Sequence, residues 1–544
     1  MNVSRSNLPL IIFISCVVLF FGVLWSRLLF YSDGSLYTRN SNLWGDWAVH
    51  LTHTSFFEYQ SLAPTVHPLF YNHPFSYTFG SSWISALIVR LGFSSIFTLT
   101  ITSLFFSILL VNLVCIFFYQ LSKSQPISIL ATILFLLNGG FGFLFFLRTF
   151  FLQPSFALFF NPPHKYTHMP EYLIQWANVI DSHIIPSRTF LFGFCIALIV
   201  VLIVHRILIQ NRLGKHANLT LLFASVLYGI LPIFHMHSFL AISFVFFFWF
   251  MLEFRNRKKD QAIRLFRWTL FGSISLILAS VLYFQFLRDP SHQSYLRWFP
   301  GWYTNIYPFP IILFWIMNWT FTPFIATVEF FSHKRQHLHL IPFFVLFLLV
   351  NLFLFQPFIW DNTKFLVWIS LGFSYLTATY FWTYFQKGLF WKVFVGIIFC
   401  ITIFSGSLEV SRMLFSNADT RIMLDSTETS ATNWIQKNTT SNAIILTSDH
   451  PYHPVPTRTG RRILMGYRGW LRTYGYDFAE IERDIEKMFE TPNKSRPIFE
   501  KYNVSYIYVG NHELLEYQVD VATLKREFPI VYSDTEVTIY QRSE

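Results

Sequence analysis

LPLIIFISCVVLFFGVLWSRLLFYSDGSLYTRNSNLWGDWAVHLTHTSFFEY, residues 8–59, is the stretch whose reading decides the fold. From Leu8 to Phe30 it is almost wholly apolar, long enough for a helix to cross the ~30 Å hydrocarbon core of a bilayer. That run is too long for the apolar core of a signal peptide, and no small-residue cleavage site comes after it, so it reads as a retained anchor. The residues beyond Phe30 are polar and aromatic, and Asp46 stands among them between Trp44 and Trp47. Indoles suit a membrane surface, where one end of the ring is wet and the other apolar. The chain therefore opens with one crossing and a loop at the membrane surface.

Apolar runs of the same kind recur. Spanning helices are expected near 9–31, 95–119, 127–147, 187–210, 219–235, 238–253, 267–287, 309–331, 340–356, 364–385 and 391–408. Composition agrees: 53% of the 544 residues are hydrophobic and 13% charged, with a mean hydropathy of +0.43, where soluble domains carry roughly a quarter charged residues. Cys16, Cys115, Cys195 and Cys400 all lie within apolar runs. The tail therefore has neither a disulfide framework nor a thiolate metal site.

The stretch 79–93, FGSSWISALIVRLGF, is ambiguous, and charge decides it. If it stays on one side, one set of loops collects Arg5, Lys123, Arg206, Arg212, Lys215, Arg255, Arg257, Lys258, Lys259, Arg264, Arg267, Lys334, Arg335, Lys387 and Lys392. The other set holds Arg39, Arg90, Arg148, Lys165, Arg188, Arg288, Arg297 and Lys364. Cytoplasmic loops carry the basic excess. Residues 79–93 are thus expected to form a juxtamembrane helix, with eleven spans, a cytoplasmic N-terminus and an outward C-terminus. A formal charge of +11 spread over such loops is topology, with no basic face for nucleic acid.

After about 412 charges become frequent and apolar runs shorten. Strands are expected at 442–449, 462–467, 505–510, 528–533 and 537–542, and helices at 431–438 and 477–490, the second capped by Asp477. The fold class is an α-helical polytopic membrane protein, residues 1–411 with a long first outer loop at 32–94, followed by an extracytoplasmic α/β domain, 412–544.

Chemistry is expected on the outward side, where the long loops fall. Asp46 would be a base or a metal ligand if partly desolvated, or simply the N-cap of a helix at 47–59. His50 and His53 come at i+4 and i+7, a conceivable metal set with Asp46 or ordinary surface histidines. Glu58, His67 and His73 lie downstream. In the loop 161–190, Asp181, His183 and Arg188 precede a span. The planar Arg188 fork suits phosphate, or the side chain is an interfacial anchor that snorkels. His235 and His237 mark a tight connection between spans, functional or merely wet. NGGFGF, 138–143, reads as close helix packing. In the tail, Arg458, Arg461, Arg462, Arg468 and Arg472 with Tyr467, Trp470, Tyr474 and Tyr476 form either a phosphate- and sugar-binding surface or a solvated basic loop.

An acid in WGDW just after the first span, a long first outer loop, many spans and an outward C-terminal domain resemble the GT-C superfamily of membrane glycosyltransferases. That superfamily includes protein O-mannosyltransferases, aminoarabinose transferases and the oligosaccharyltransferase catalytic subunit. ATNWIQKNTTSNAIILTSD, 431–449, resembles the run leading into the periplasmic domain of such enzymes, and TGRR and GYRGW look like those of GT-C-like proteins of bacteria and archaea. The resemblance implies an inverting transfer of sugar from a polyprenyl-phosphate donor to a glycan, lipid or protein acceptor. It assigns Asp46 as base or ligand of a possible divalent metal, and arginine as the donor-phosphate ligand. The mannosyltransferases carry Asp-Glu where Asp46 is followed by Trp47. SDHPY, 448–452, stands where oligosaccharyltransferases have WWDYG, so asparagine-linked transfer is not expected. The other reading is a non-enzymatic lipid or glycan transporter or an assembly partner. Transporters usually show inverted repeats, and no repeat is evident.

Overall fold

The computed structural model describes residues 8–64, 66–211, 216–255, 261–289 and 295–542. Arg5, Arg212, Lys215, Arg257, Lys258 and Lys259, from the basic side of the charge count, lie outside them. Two compact units result: Met1–Leu28, Ser103–Tyr283 and Tyr295–Ala418 form one, Leu29–Thr102, Phe284–Ser294 and Asp419–Glu544 the other. The boundary expected at 411/412 falls inside the last long helix, Leu389–Phe415, and the first loop groups with the tail.

The first unit is helical and apolar. Among the described residues, nine helices are long and apolar enough to cross a membrane, up to eleven if each of two bent pairs is one span. The protein is a multi-pass membrane protein. The bent pairs are Gln125–Leu137 with Gly140–Leu152, at 72°, and Ile311–Trp319 with Thr322–Ser332, at 99°. Their breaks meet. Gly140 has φ +68°, and a Cβ there would lie 2.2 Å from the Met317 carbonyl oxygen, so only glycine lets the two backbones approach. Next to it the Asn318 side chain accepts the Gln175 and Trp176 amides at 2.6 and 3.0 Å and donates to the Leu173 carbonyl at 2.9 Å. The NGGFGF run is the packing element its composition implied.

The second unit is α/β. Its five-stranded sheet has the order Arg462–Ile463, Ile444–Leu446, Tyr506–Val509, Thr538–Gln541, Ile530–Ser533. The first three strands are parallel and the last two add antiparallel. Leu446, Met488, Phe489, Val504, Ile507 and Leu524 are buried together against it. A second sheet joins Leu29–Ser32, Ser35–Thr38 and Arg421–Leu424, so chain from the first loop pairs with chain from the start of the tail.

The ambiguous stretch is a helix of ten residues, Gly80–Val89. At 1.5 Å per residue it covers about 15 Å, half of a bilayer core. Arg90 after it donates to the carbonyls of Phe57 and Gln60 at 2.6 and 2.7 Å. It closes the C-terminal end of the helix Ser41–Tyr59, whose last carbonyls have no partner within the helix. The expected cap at Asp477 shifts by one: the helix is Ala479–Glu490 with Phe478 at the cap position, while Asp477 still accepts the Ala479 amide at 3.2 Å.

Candidate functional site

Asp46 lies in the second turn of Ser41–Tyr59, not at its start. Asn40 is the N-cap, and its side chain accepts the Leu43 amide at 2.8 Å. The capping alternative for Asp46 is therefore excluded, because an asparagine six residues earlier already does that work. Both indoles pack against the protein. Trp44 donates to the Ile422 carbonyl at 2.7 Å and sits 5.5 Å from the Tyr452 ring, and Trp47 is fully buried. The half-buried Asp46 carboxylate acts on Tyr452 and Tyr474. Burial, and then the negative charge of Asp46, push the Tyr452 phenol well above its ordinary range. Tyr474 moves the same way through burial, Tyr77, Tyr476 and Asp46 in that order.

One helical turn on, His50 and His53 turn inward rather than to solvent. His53 stands 4.9 Å from Phe75, 5.4 Å from Tyr77 and 6.2 Å from His67, ring to ring. Burial, with His67 and His50 beside it, holds the His53 imidazole well below its usual pKa and so neutral at pH 7. Both ring nitrogens of His53, and the hydroxyls of Thr52 and Thr54, are buried without a hydrogen-bond partner among the described residues. Buried polar atoms are almost always paired, so such a group marks a place meant for something else. His73 lies 3.5 Å from an Asp289 carboxylate oxygen and stacks near Phe70. Among the described residues, Asp46, His50 and His53 do not bring three ligand atoms together as a metal set would require.

The tail arginines are committed to the fold. Arg461, 4% exposed, donates to Thr439 Oγ1 and to the carbonyls of Thr459, Gln436 and Thr439 at 2.8 to 3.1 Å. It thereby closes the end of helix Thr429–Asn438. Arg462 donates to the Asn442 carbonyl at 2.9 Å, and Arg458 to Thr429 and the Asp425 carbonyl. Arg468 pairs with Asp449 and Glu482 at 2.8 Å and with Glu516. All four have acceptors within the fold, although Arg462 Nε is buried without a hydrogen-bond partner among the described residues. Tyr467 is exposed, with the Trp470 ring 5.5 Å away and edge-on to it.

In the first unit, Arg188 is the first residue of its helix and fully buried. It donates to Ser103 Oγ at 2.5 Å and lies over the Phe192 ring. His183, His235 and His237, scattered in sequence, come together around Lys364. His235 and His237 rings are 5.3 Å apart, His183 stacks 5.6 Å from Trp360, and the ammonium acts on all three. His183, outside the spans, is held at about 3 by burial and by Lys364. Gly193 permits this: a Cβ there would meet His235 Cβ at 2.3 Å. Asp181 pairs with Lys165 at 2.9 Å. Close to them lie Glu409, which accepts from Thr167 Oγ1 at 3.2 Å, and Arg412, which donates to the Pro162 carbonyl. Glu409 and Arg412 are absent from the candidates that sequence pattern offers. A signal for them exists all the same, as an acid and a base near the end of an apolar run.

No protein-family model and no curated protein sequence matches the chain. Solved structures do. The oligosaccharyltransferase of Archaeoglobus fulgidus in the apo form is 11% identical, with a TM-score of 0.54 over 98% of this chain and 74% of that one. ArnT from Cupriavidus metallidurans in the apo state is 10% identical, with a TM-score of 0.52 over 99% of this chain and 98% of that one. ArnT bound to undecaprenyl phosphate gives 10% identity and 0.50 over 98% of each chain. The fold is that of the GT-C glycosyltransferases, as the sequence resemblance implied.

Proposed function

We propose that the protein is a GT-C membrane glycosyltransferase that transfers a sugar from a polyprenyl-phosphate carrier to an acceptor hydroxyl on the outer face of the membrane. The observation that carries it is Asp46: a half-buried carboxylate in the first helix after the first span, released from capping and set beside buried tyrosines. Fold likeness to ArnT, one structure of which holds undecaprenyl phosphate, supports the donor class. In the proposed step the acceptor oxygen attacks the anomeric carbon from the face opposite the leaving group, the sugar–phosphate bond breaks, and polyprenyl phosphate departs. Asp46 takes the hydroxyl proton, and the configuration inverts because no covalent sugar–enzyme intermediate forms. Arg188 is assigned to the donor phosphate, for which a guanidinium offers two parallel donors. A divalent metal held by Asp46 remains compatible with this reading. The extracytoplasmic placement of 412–544 rests on the positive-inside count.

The test uses the purified full chain in lipid vesicles, supplied with lipid-linked sugars extracted from its source cells. Consumption of a lipid-linked sugar and release of polyprenyl phosphate are followed by mass spectrometry. Turnover that needs Asp46 and a donor affinity weakened in Arg188→Gln are expected. Absence of turnover, or equal turnover in Asp46→Asn, overturns the proposal.

A further inference from the structure

A group of ligand atoms that the proposed function does not use lies at the junction of two helices in the first unit. Thr322–Ser332 ends at His333, and a short turn, Lys334–His337, leads into the next span. Glu329, His333 and His337 succeed one another at four-residue steps across the break at His333, and their ligand atoms converge there. Glu329 is 3% and His337 4% exposed, while His333 is open to solvent. Glu329 Oε1 lies 3.0 Å from His333 Nδ1 and 3.5 Å from His337 Nε2, and the three ligand atoms all fall within 4.8 Å of one another.

We propose that these three side chains form a binding site for a zinc-type divalent cation. Zinc–nitrogen and zinc–oxygen bonds of about 2.0–2.1 Å at tetrahedral angles set ligand atoms roughly 3.3 Å apart. The two measured separations fall on either side of that value. A second observation is independent of the spacing. His337 Nδ1 is buried without a hydrogen-bond partner among the described residues, and Nε2 makes no hydrogen bond beyond its 3.5 Å approach to Glu329 Oε1, a costly state for a side chain 4% exposed unless it serves a ligand. Two imidazoles and a carboxylate select a borderline cation such as Zn²⁺ over Mg²⁺ or Ca²⁺, which prefer all-oxygen shells. Three protein ligands leave a fourth position for water. The cation would tie the end of one span to the start of the next, beside Lys334 and Arg335, on the side that the basic residues assign to the cytoplasm.

The experiment uses the purified full chain in detergent, stripped with a chelator and titrated with zinc chloride by calorimetry. One tight site per chain is expected, undiminished by excess Mg²⁺. Glu329→Gln and His337→Ala should weaken it by ~10- to 100-fold or more, since even loss of an outer-shell partner has that effect. His333→Ala guards against misfolding. Its side chain is exposed, so the apo chain should still fold with a cooperative melt, while zinc affinity and the zinc-induced rise in melting temperature are lost. Wild type binding zinc no more tightly than these variants, or His333→Ala retaining full affinity, overturns the site.

Discussion

The helix Ser41–Tyr59 and the segment 457–477 belong to the same unit and are both rich in polar side chains, yet they treat those side chains in opposite ways. In the tail segment Arg458, Arg461, Arg462 and Arg468 each meet an acceptor of the fold. In the helix, Thr52, His53 and Thr54 bury polar atoms that no neighbour among the described residues satisfies. A polar group whose partners are complete is holding the structure. One buried without them destabilises the fold and persists where a ligand or reaction needs it. Charge density points to the tail segment, and bookkeeping of partners points to the helix that carries Asp46.

The largest expected break in this comparison is Asp46→Asn. It nearly preserves shape, so melting should move by little, while turnover falls by about 10²–10⁴-fold, the usual worth of a general base. Steady-state rates alongside a melting curve check both halves. An unchanged rate would move Asp46 into the company of the tail arginines.

Next is Glu513, a carboxylate on the structural side. It is fully buried and accepts from the Ser448 amide, Ser448 Oγ and His453 Nε2 at 2.7 to 2.9 Å, and from the Gly510 amide at 2.9 Å. Despite the opposing effect of burial, His453 and Ser448 lower its pKa to about 2. Its stabilisation is therefore complete above the ordinary glutamate value and is lost as pH falls toward 2. Glu513→Gln should cost about 1–3 kcal/mol, as for leaving buried hydrogen-bonding groups unsatisfied, read by denaturant titration at neutral pH.

Glu428 behaves inversely. Burial outweighs His453 and Arg458 and raises its carboxyl to about 7. The folded state holds this proton more tightly than the unfolded one, so stability declines as pH rises from the ordinary glutamate value through 7. Glu428→Gln removes that cost. The variant should be more stable than wild type at pH 8, by about 1–3 kcal/mol, with the gap closing at pH 4.

Arg468→Gln gives the smallest effect. Its ion pairs are partly exposed, so about 1 kcal/mol is expected. The loss should shrink in high salt, with turnover unaltered. A large loss of turnover would return this arginine to the donor site.

Much of the fold is legible in the sequence because it arises from local pattern. Length and apolarity give the spans, and the charge count gives the short helix at Gly80–Val89. All five strands of the tail sheet appear at their expected places. The Asp46 helix starts earlier than its apolar pattern suggests, because its cap is Asn40, six residues upstream of the acid. The grouping of 29–102 with 419–544 is invisible, since pairing between distant strands leaves no periodic trace. The same holds for the site. Asp46 is proposed from its position alone. The gathering of His183, His235 and His237 near Lys364 cannot be proposed in that way, because separate elements far apart in sequence supply them.

The pairing of Ser35–Thr38 with Arg421–Leu424 bears on how the protein is made. The first strand leaves the ribosome more than 380 residues before its partner. At synthesis rates of about 5–20 residues per second, that is a wait of roughly 20–80 s. Throughout that interval one edge of a hairpin stands unpaired beside a membrane crowded with newly inserted helices. Open edges recruit other strands, so the nascent first loop carries an aggregation hazard until residues 421–424 emerge.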